Sequence, residues 1–345
     1  MNLLVKLFLK LVSVFQVDMK KDYAKVRELQ KVITPDVKDR YQIFDHEIKA
    51  DDGHLIAVRT FLPNTERKPG IILFFHGGGW VIGDIETYTP VCGQMADETG
   101  MAVYSVDYRL APEHPFPRGL EDCYTATKFL LDYADLIEET NLQGDLVLLG
   151  DSAGANLAAA VSLLLDKRDG ISVDKQVLIY PATYWDHRPD SSPFDSVRSN
   201  GEQYGLTAKK VQDYFSMYVP DKILSRTEEA APLVAEDLTG QPESLVLSAE
   251  FDPLRDEGEA FGLRLKKAGV KTQIRRILKA PHGFLSYPDL TGGVAETYHL
   301  LRQFLFATDE NELRSNPEAS RPLSRAEVDY LETTLAKIQK LDGQA

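Results

Sequence analysis

Apolar residues recur along the chain in short runs that alternate with helix-length segments. Tyr41–Ile48 and Leu55–Leu62 flank a turn at Asp51-Asp52-Gly53, a pattern that predicts an antiparallel hairpin. Six further strand-like runs follow: Ile71–Phe75, Ala102–Val106, Leu146–Leu149, Val177–Ile179, Leu245–Leu247 and Thr272–Ile277. Because helical segments separate these runs, they predict a mostly parallel sheet with helices on both faces. The pattern therefore predicts an α/β fold built on an eight-stranded sheet.

Two regions depart from this alternation. From about Asp186 to Glu243 the chain is rich in Ser, Pro and Asp around one helix-like segment, Lys209–Tyr218, which predicts a cap insertion over the carboxyl edge of the sheet. Near the C-terminus a capping-box pattern precedes apolar residues at helical spacing: Ser324 and Glu327, then Val328, Leu331, Leu335, Ile338 and Leu341. We expect this helix to dock on the core or to form a homodimer.

The predicted organisation has three parts. Residues 1–40 form an N-terminal helical cap segment, and residues 41–306 form the α/β domain with the cap insertion at about 186–243. Residues 307–345 form a C-terminal extension with the amphipathic helix.

The segment Leu3–Val17 is rich in Leu, Val and Phe, and its charged residues are Lys6 and Lys10. It is shorter than the about 20 residues that span a bilayer, and no small-residue cleavage site follows it, so neither a membrane span nor a secretion signal is favoured. On a helical projection its polar residues share one narrow face, which indicates an amphipathic helix with a wide apolar side. Contact of this helix with a membrane surface is a hypothesis that the pattern permits without favouring it.

Composition narrows the classes of partner. The chain is 43% hydrophobic and 27% charged, which is typical of a globular protein, and its formal net charge is −14. Such an acidic protein repels phosphate backbones, so we expect a neutral small-molecule substrate and no nucleic acid. Cys92 and Cys123 form no Cys-x-x-Cys or Cys/His cluster, so we expect buried free thiols, no zinc site and a cytoplasmic location.

The strongest chemical signal is Gly150-Asp151-Ser152-Ala153-Gly154, a G-x-S-x-G motif between a predicted strand and a predicted helix. This context is that of a nucleophile elbow, in which the serine occupies a strained turn and the glycines prevent collisions with neighbouring backbone. A chance match on an ordinary strand-to-helix turn is the competing interpretation. The setting favours Ser152 as the nucleophile.

A second motif, His76-Gly77-Gly78-Gly79-Trp80, follows directly on a predicted strand, where bare backbone can direct N–H groups at an oxyanion. The glycines also resemble a dinucleotide fingerprint, but the spacing to Gly83 is one residue too long. Tyr124 and Lys128 likewise form a Y-x-x-x-K pair, as in short-chain dehydrogenases, but lie too soon after the glycines. Both nucleotide interpretations therefore rank below the oxyanion one.

The base and the acid follow from chain order, since a hydrolase with this elbow places its acid and then its histidine after the serine. His282 lies directly after the last predicted strand, whereas His299 falls inside a helix-like segment. Asp252 lies at the exit of the strand between Ser152 and His282. The acids that follow it, Asp256, Glu257 and Glu259, are expected to be structural residues of a first helical turn. The candidate triad is Ser152, Asp252 and His282.

Over roughly residues 40–306 these motifs resemble the hormone-sensitive-lipase family of esterases, bacterial family IV, within the α/β-hydrolase superfamily. The resemblance rests on His-Gly-Gly-Gly-Trp at 76–80, Asp-Tyr-Arg-Leu-Ala-Pro-Glu-His-Pro-Phe-Pro at 107–117, Gly-Asp-Ser-Ala-Gly-Ala-Asn-Leu-Ala at 150–158, Asp-Pro-Leu-Arg-Asp-Glu-Gly at 252–258 and His-Gly-Phe at 282–284. It implies an oxyanion hole made by the N–H groups of Gly78, Gly79 and Ala153. It also implies hydrolysis of carboxylic esters with short to medium acyl chains, without a metal or organic cofactor.

Two alternatives stay open at this point. An amidase or acyltransferase uses the same triad, and the sequence does not separate them from an esterase. A non-catalytic ligand-binding protein on the same scaffold is the other alternative, since plant gibberellin receptors resemble this family but lack the catalytic histidine. The presence of His282 favours an enzyme.

Overall fold

The computed structural model describes residues 17–133, 144–287, 289, 291–306 and 316–342. The described residues form one nine-stranded sheet: β1 (Gln42–Lys49), β2 (Leu55–Leu62), β3 (Ile71–Phe75), β4 (Ala102–Asp107), β5 (Leu146–Asp151), β6 (Lys175–Ile179), β7 (Glu243–Phe251), β8 (Thr272–Pro281) and β9 (Ser320–Arg321). All eight predicted strands are present, but the predicted number was one too low. The additional strand β9 has two residues and comes from the C-terminal extension, where no apolar run signals it.

The sheet order is β1-β2-β4-β3-β5-β6-β7-β8-β9. The six strands from β3 to β8 are mutually parallel, whereas β1, β2 and β9 pair in antiparallel fashion. Every residue of β3 and β5 is buried, which explains why these strands have continuous apolar sequences without alternation. Alternate residues serve opposite faces: Ile71, Leu73 and Phe75 belong to one hydrophobic core, and Ile72 and Phe74 belong to the other.

Nine α-helices occur in the described residues: α1 (Met19–Ile33), α2 (Thr89–Thr99), α3 (Arg118–Tyr133), α4 (Ala153–Asp169), α5 (Asp195–Ser199), α6 (Ala208–Tyr218), α7 (Arg255–Lys267), α8 (Gly293–Phe306) and α9 (Arg325–Asp342). Helix α4 is buried on every side from Ala153 to Leu165, which suits its Ala- and Leu-rich sequence. Residues from α3, α4, α7 and α9 join one core, and residues from α2 and α8 join the other.

The strand order creates a crevice at the carboxyl edge of the sheet. The chain passes from β3 to β4 on one side and later returns to place β5 on the other side of β3. At such a reversal the loops that follow the two neighbouring strands diverge, and ligands bind between them. The glycine loop follows β3 and Ser152 follows β5, so both sequence motifs lie at this crevice.

The predicted helix of the cap insertion is α6, which begins after Thr207, whose hydroxyl accepts a hydrogen bond from the Lys210 N–H. It packs on the glycine loop, where the Trp80 and Tyr218 rings stack at 4.6 Å. Helix α1 packs against α6 and forms a Lys20–Asp213 ion pair of 3.6 Å. The predicted apolar helix at Leu3–Val17 lies outside the described residues, apart from Val17. Within the described residues, no helix has the length and apolar character needed to span a bilayer.

The C-terminal helix α9 packs on its own chain. Its residues Leu331, Leu335 and Ile338 are buried in the core shared with α7. The side chain of Glu327 binds Arg276 of β8 and Arg321 of β9, the latter at 2.7 and 2.8 Å. The predicted docking of this helix is therefore present. A homodimer stays a prediction, and these buried residues are not available to form its interface.

We expect Glu327→Gln to destabilise the fold at neutral pH, because it removes the carboxylate that Arg321 and Arg276 bind. The hydrogen bonds from Arg321 lower the pKa of Glu327 far below its ordinary value. A carboxylate with a lowered folded pKa stabilises the fold above its unfolded pKa of about 4.3, and this stabilisation declines as pH falls further. The difference in thermal midpoint between wild type and variant should be full at about pH 7 and shrink below about pH 4.

Asp329→Asn is the matched control, since Asp329 lies on the same helix in an exposed pair with Arg325. Exposed pairs contribute little, so its midpoint should stay with wild type at both pH values. If the thermal midpoint of Glu327→Gln lay below that of wild type by the same amount at both pH values, the prediction would be contradicted.

Candidate active site

Ser152 is the single residue between the end of β5 and the start of α4. Its backbone has φ 55° and ψ −117°, a strained conformation for a residue with a side chain. A Cβ atom on Gly154 would lie 1.9 Å from the carbonyl oxygen of Phe75, and one on Gly150 would lie 2.3 Å from the backbone of Gly154. The two glycines of the motif are therefore required because neighbouring backbone approaches them directly.

The three candidate triad residues lie in one hydrogen-bonded line. His282 Nε2 is 2.8 Å from Ser152 Oγ, and His282 Nδ1 is 2.7 Å from Asp252 Oδ2. Asp252 follows the last residue of β7, and His282 follows the last residue of β8, so adjacent parallel strands bring them to the same edge. The sequence prediction thus named three residues that the fold brings together.

The hydrogen bonds decide which imidazole nitrogen carries the proton. Because the Asp252 carboxylate accepts, Nδ1 of His282 donates, and Nε2 is left to accept from the Ser152 hydroxyl. The second oxygen of Asp252 accepts from the Leu254 N–H at 2.8 Å, and Asp252 itself is fully buried. His282 retains 11% exposure, so the line runs from a buried carboxylate to a serine at the crevice.

The glycine loop presents free backbone donors beside Ser152. Gly78 and Gly79 have φ values of 110° and 62°, which favour glycine, and Gly78 accepts from the Ile82 N–H at 3.0 Å in a tight turn. Among the described residues, neither Gly78 nor Gly79 uses its N–H group in a hydrogen bond. Ala153 is the first residue of α4, where the N–H has no partner within the helix. Gly78, Gly79 and Ala153 are the residues for which the resemblance implies an oxyanion hole, and the hydrogen bond from the Gly77 N–H to Asp151 brings the glycine loop next to the nucleophile turn.

Asp151 connects the nucleophile turn to the glycine loop, a role that the sequence analysis did not assign to it. Its Oδ1 accepts from the Gly77 N–H at 2.7 Å, and its Oδ2 accepts from the Tyr88 and Tyr180 hydroxyls, each at 3.2 Å. Asp151 is 2% exposed, and burial raises the pKa of its carboxyl group. The Tyr180 ring also packs on the imidazole of His282, with centroids 4.8 Å apart. The position of Asp151 inside the G-x-S-x-G motif was the available signal.

Aromatic residues of α6 form a roof over the glycine loop. A Cβ atom on Gly79 would lie 2.4 Å from the ring of Tyr214, so the ring lies directly against this glycine. Phe215 contacts the edge of Trp80, which stacks on Tyr218. The resulting roof is apolar apart from the tyrosine hydroxyls, and it lies directly against the glycine loop.

The other sequence candidates have structural partners elsewhere. Tyr124 and Lys128 both contact Asp169 on the helix surface, which agrees with ranking the dehydrogenase pattern low. The three acids that follow Asp252 are more deeply buried than first-turn surface acids: Asp256 binds the Ser196 N–H, Glu257 the Thr183 N–H, and Glu259 the Arg276 guanidinium. Cys92 and Cys123 are buried and free. No group of three or more His, Cys, Asp or Glu suited to a metal occurs within the described ranges.

Comparison with known proteins gives a family match and several similar proteins. A family model described as alpha/beta hydrolase fold matches residues 72–286. An arylesterase of Saccharolobus solfataricus is 36% identical over 246 residues, which cover 71% of this chain and 77% of the relative. The carboxylesterase NlhH of Mycobacterium tuberculosis is 30% identical over 282 residues, which cover 80% of this chain and 85% of the relative.

A solved structure of an esterase from Pyrobaculum calidifontis matches with a TM-score of 0.77 at 33% identity, covering 88% of this chain and 98% of that one. The predicted fold is thereby confirmed. By the family model, these relatives and this structural match, the chain belongs to the hormone-sensitive-lipase family of esterases, bacterial family IV, within the α/β-hydrolase superfamily.

Proposed function

We propose that this protein hydrolyses carboxylic esters of small molecules through an acyl-enzyme on Ser152, with His282 as general base and Asp252 as its orienting acid. The observation that carries the assignment is the hydrogen-bonded line Ser152–His282–Asp252 in a member of an esterase family.

In the first half of the reaction, Ser152 Oγ attacks the ester carbonyl carbon while His282 Nε2 takes the hydroxyl proton. The carbonyl oxygen becomes an oxyanion, and the N–H groups of Gly78, Gly79 and Ala153 donate hydrogen bonds to it. Asp252 stabilises the imidazolium cation. His282 then gives its proton to the departing alkoxide, the C–O bond breaks, and the alcohol leaves.

In the second half, a water molecule takes the place of the alcohol. His282 accepts a proton from this water as its oxygen attacks the acyl carbon, and the same three N–H groups hold the second oxyanion. Collapse of this intermediate breaks the bond to Ser152 Oγ, which recovers its proton from His282. The products are a carboxylic acid and the free enzyme.

Short to medium acyl chains are the proposed substrates. The support is the position of Tyr214, whose ring lies directly against Gly79, one of the proposed oxyanion donors. Amide hydrolysis and acyl transfer use the same residues, but the family and its relatives favour ester hydrolysis. A cytoplasmic location and a homodimer stay predictions.

Ser152→Ala should lower kcat for p-nitrophenyl butyrate by at least about a thousandfold, because no other group forms the acyl-enzyme. Ser162→Ala is the matched control, since Ser162 is a buried serine of the same helix α4 bonded to Gln241, and it should keep wild-type turnover. Labelling by a fluorophosphonate probe should follow the same pattern. A variant without Ser152 that still turns over or labels would reject the assignment.

Tyr214→Ala should shift the acyl-chain preference toward longer esters, because it removes the ring that lies over Gly79. The measurement is kcat/KM for p-nitrophenyl acetate, butyrate, octanoate and palmitate. We expect the wild type to favour acetate or butyrate, and the variant to gain several-fold on octanoate relative to acetate. Lys209→Ala on the same helix is the control. An unchanged ranking would show that the roof does not limit the acyl chain.

Asp151→Ala should lower kcat by about tenfold to a hundredfold with little change in KM, because the glycine loop loses its bond to the nucleophile turn. Asp151→Asn should recover part of this loss, since its amide oxygen still accepts from the Gly77 N–H. A trifluoromethyl ketone inhibits by adding to Ser152 Oγ, which turns the carbonyl oxygen of the inhibitor into an oxyanion. Its affinity should weaken in parallel with kcat/KM. If Asp151 had a purely structural role, the variant would have a lower thermal midpoint, and the losses in inhibitor affinity and in kcat/KM would not match.

A further inference from the structure

Helix α9 reaches the part of the chain that carries the candidate catalytic acid. It packs on α7, which begins three residues after Asp252. From α9 the ring of Tyr330 lies partly buried against the hydrophobic core. Its hydroxyl donates to Asp256 Oδ2 at 3.2 Å and accepts from the Asp195 N–H at 2.7 Å. One hydroxyl group therefore ties the C-terminal extension to the first turn of α7 and to the short helix α5 of the cap insertion.

Asp256, which accepts from this hydroxyl, is only 2% exposed. Its Oδ2 also accepts from the Ser196 N–H, and its Oδ1 accepts from Arg255, both at 2.8 Å. Burial and the nearby Asp256 raise the pKa of Tyr330 to about 12, so the hydroxyl keeps its proton and donates at neutral pH. Asp256 ends residues 250–256, which we call the acid turn because it contains the candidate acid of the triad.

Helix α5 and the residue that follows it hold the backbone of the acid turn. Ser196 Oγ donates to the carbonyl oxygen of Pro253 at 2.7 Å. Asn200 directly follows α5 and is 5% exposed. Its side-chain amide donates to the carbonyl oxygens of Glu250 at 3.3 Å and Asp252 at 3.1 Å. The cap insertion therefore binds the main chain on both sides of the candidate acid.

The position of the acid turn decides how the Asp252 carboxylate meets His282. Its Oδ1 accepts from the Leu254 N–H inside the turn, while its Oδ2 lies 2.7 Å from His282 Nδ1. Between Ala249 and Phe251 the register of β7 against β8 shifts, so the regular ladder of strand bonds is interrupted just before the acid. Bonds from outside these two strands therefore contribute to holding the carboxylate against the imidazole, and the α5 region supplies them.

We propose that Tyr330 and Asn200 are positioning residues for Asp252. Tyr330 fixes α5 against the first turn of α7, and Asn200 fixes the two carbonyl groups that it binds in the acid turn. Such supporting bonds keep a catalytic group in its productive geometry, although neither residue touches the substrate. The proposal rests on the proposed ester hydrolysis. It gives the C-terminal extension a part in catalysis without placing any of its residues in the crevice.

The test compares Tyr330→Phe, which keeps the ring, with Asn200→Ala. We expect kcat for p-nitrophenyl butyrate to fall about threefold to tenfold in the first and about tenfold to a hundredfold in the second, with KM within about twofold of wild type. The double variant should lose less than the product of the two losses, because both substitutions loosen one turn. In proton NMR the resonance of His282 Nδ1–H, which reports the bond to Asp252, should shift in each variant.

Two controls separate positioning from stability. Tyr124→Phe also removes a tyrosine–aspartate hydrogen bond, the 2.6 Å bond to Asp169 on the helix surface, and should keep the wild-type kcat and resonance. Glu327→Gln loosens the same helix α9 away from the acid turn. It should lower the thermal midpoint at neutral pH, while kcat below that midpoint and the resonance stay at their wild-type values.

A wild-type kcat and an unshifted resonance in Tyr330→Phe and Asn200→Ala would overturn the proposal, even if their thermal midpoints fell. An equal loss of kcat in Glu327→Gln would overturn it as well. Failure of the proposed function gives a different result, because wild type would then hydrolyse no ester and Ser152 would not react with a fluorophosphonate. The His282 resonance would still decide whether the two residues position the acid.

Discussion

The backbone of Ser152, at φ 55° and ψ −117°, is the constraint on which the rest of the site depends. A residue holds such a conformation only when its surroundings enforce it, and here the end of a buried strand and the start of a buried helix do so. The turn places Ser152 Oγ beyond the end of β5, within hydrogen-bond distance of His282. It also explains why glycines flank the serine, since Gly154 lies against the carbonyl of Phe75 at a distance that excludes any side chain.

The close contact between Gly154 and the Phe75 carbonyl also links the nucleophile turn to the glycine loop, because Phe75 is the last residue before that loop. The nucleophile turn and the loop of candidate oxyanion donors therefore meet through backbone, and the buried carboxylate of Asp151 adds a hydrogen bond to Gly77. Bonds between the two loops keep the donors and the nucleophile in one geometry, which catalysis by preorganised dipoles requires. Tyr180, which contacts both Asp151 and His282, extends this arrangement to the base.

Two helices outside the central sheet pack beside the active site. Helix α6 places Tyr214 over Gly79, and α1 packs on α6 and binds the loop after Trp80 through Arg27. Helices α6 and α1 thus lie on the same side of the molecule as the glycine loop. The C-terminal helix α9 instead stabilises the edge of the sheet formed by β8 and β9, where Glu327 binds Arg276 and Arg321.

The sequence by itself determined the α/β fold, the eight main strands and the three triad candidates, because strand periodicity and the G-x-S-x-G elbow are local patterns. It did not reveal β9, whose two residues carry no apolar run, or the burial of Asp256, Glu257 and Glu259, which depends on partners far along the chain. Only the tertiary structure joined Asp151 to Gly77, 74 residues apart, and set Tyr214 against Gly79. Such contacts depend on strand order and helix packing, which no local pattern encodes.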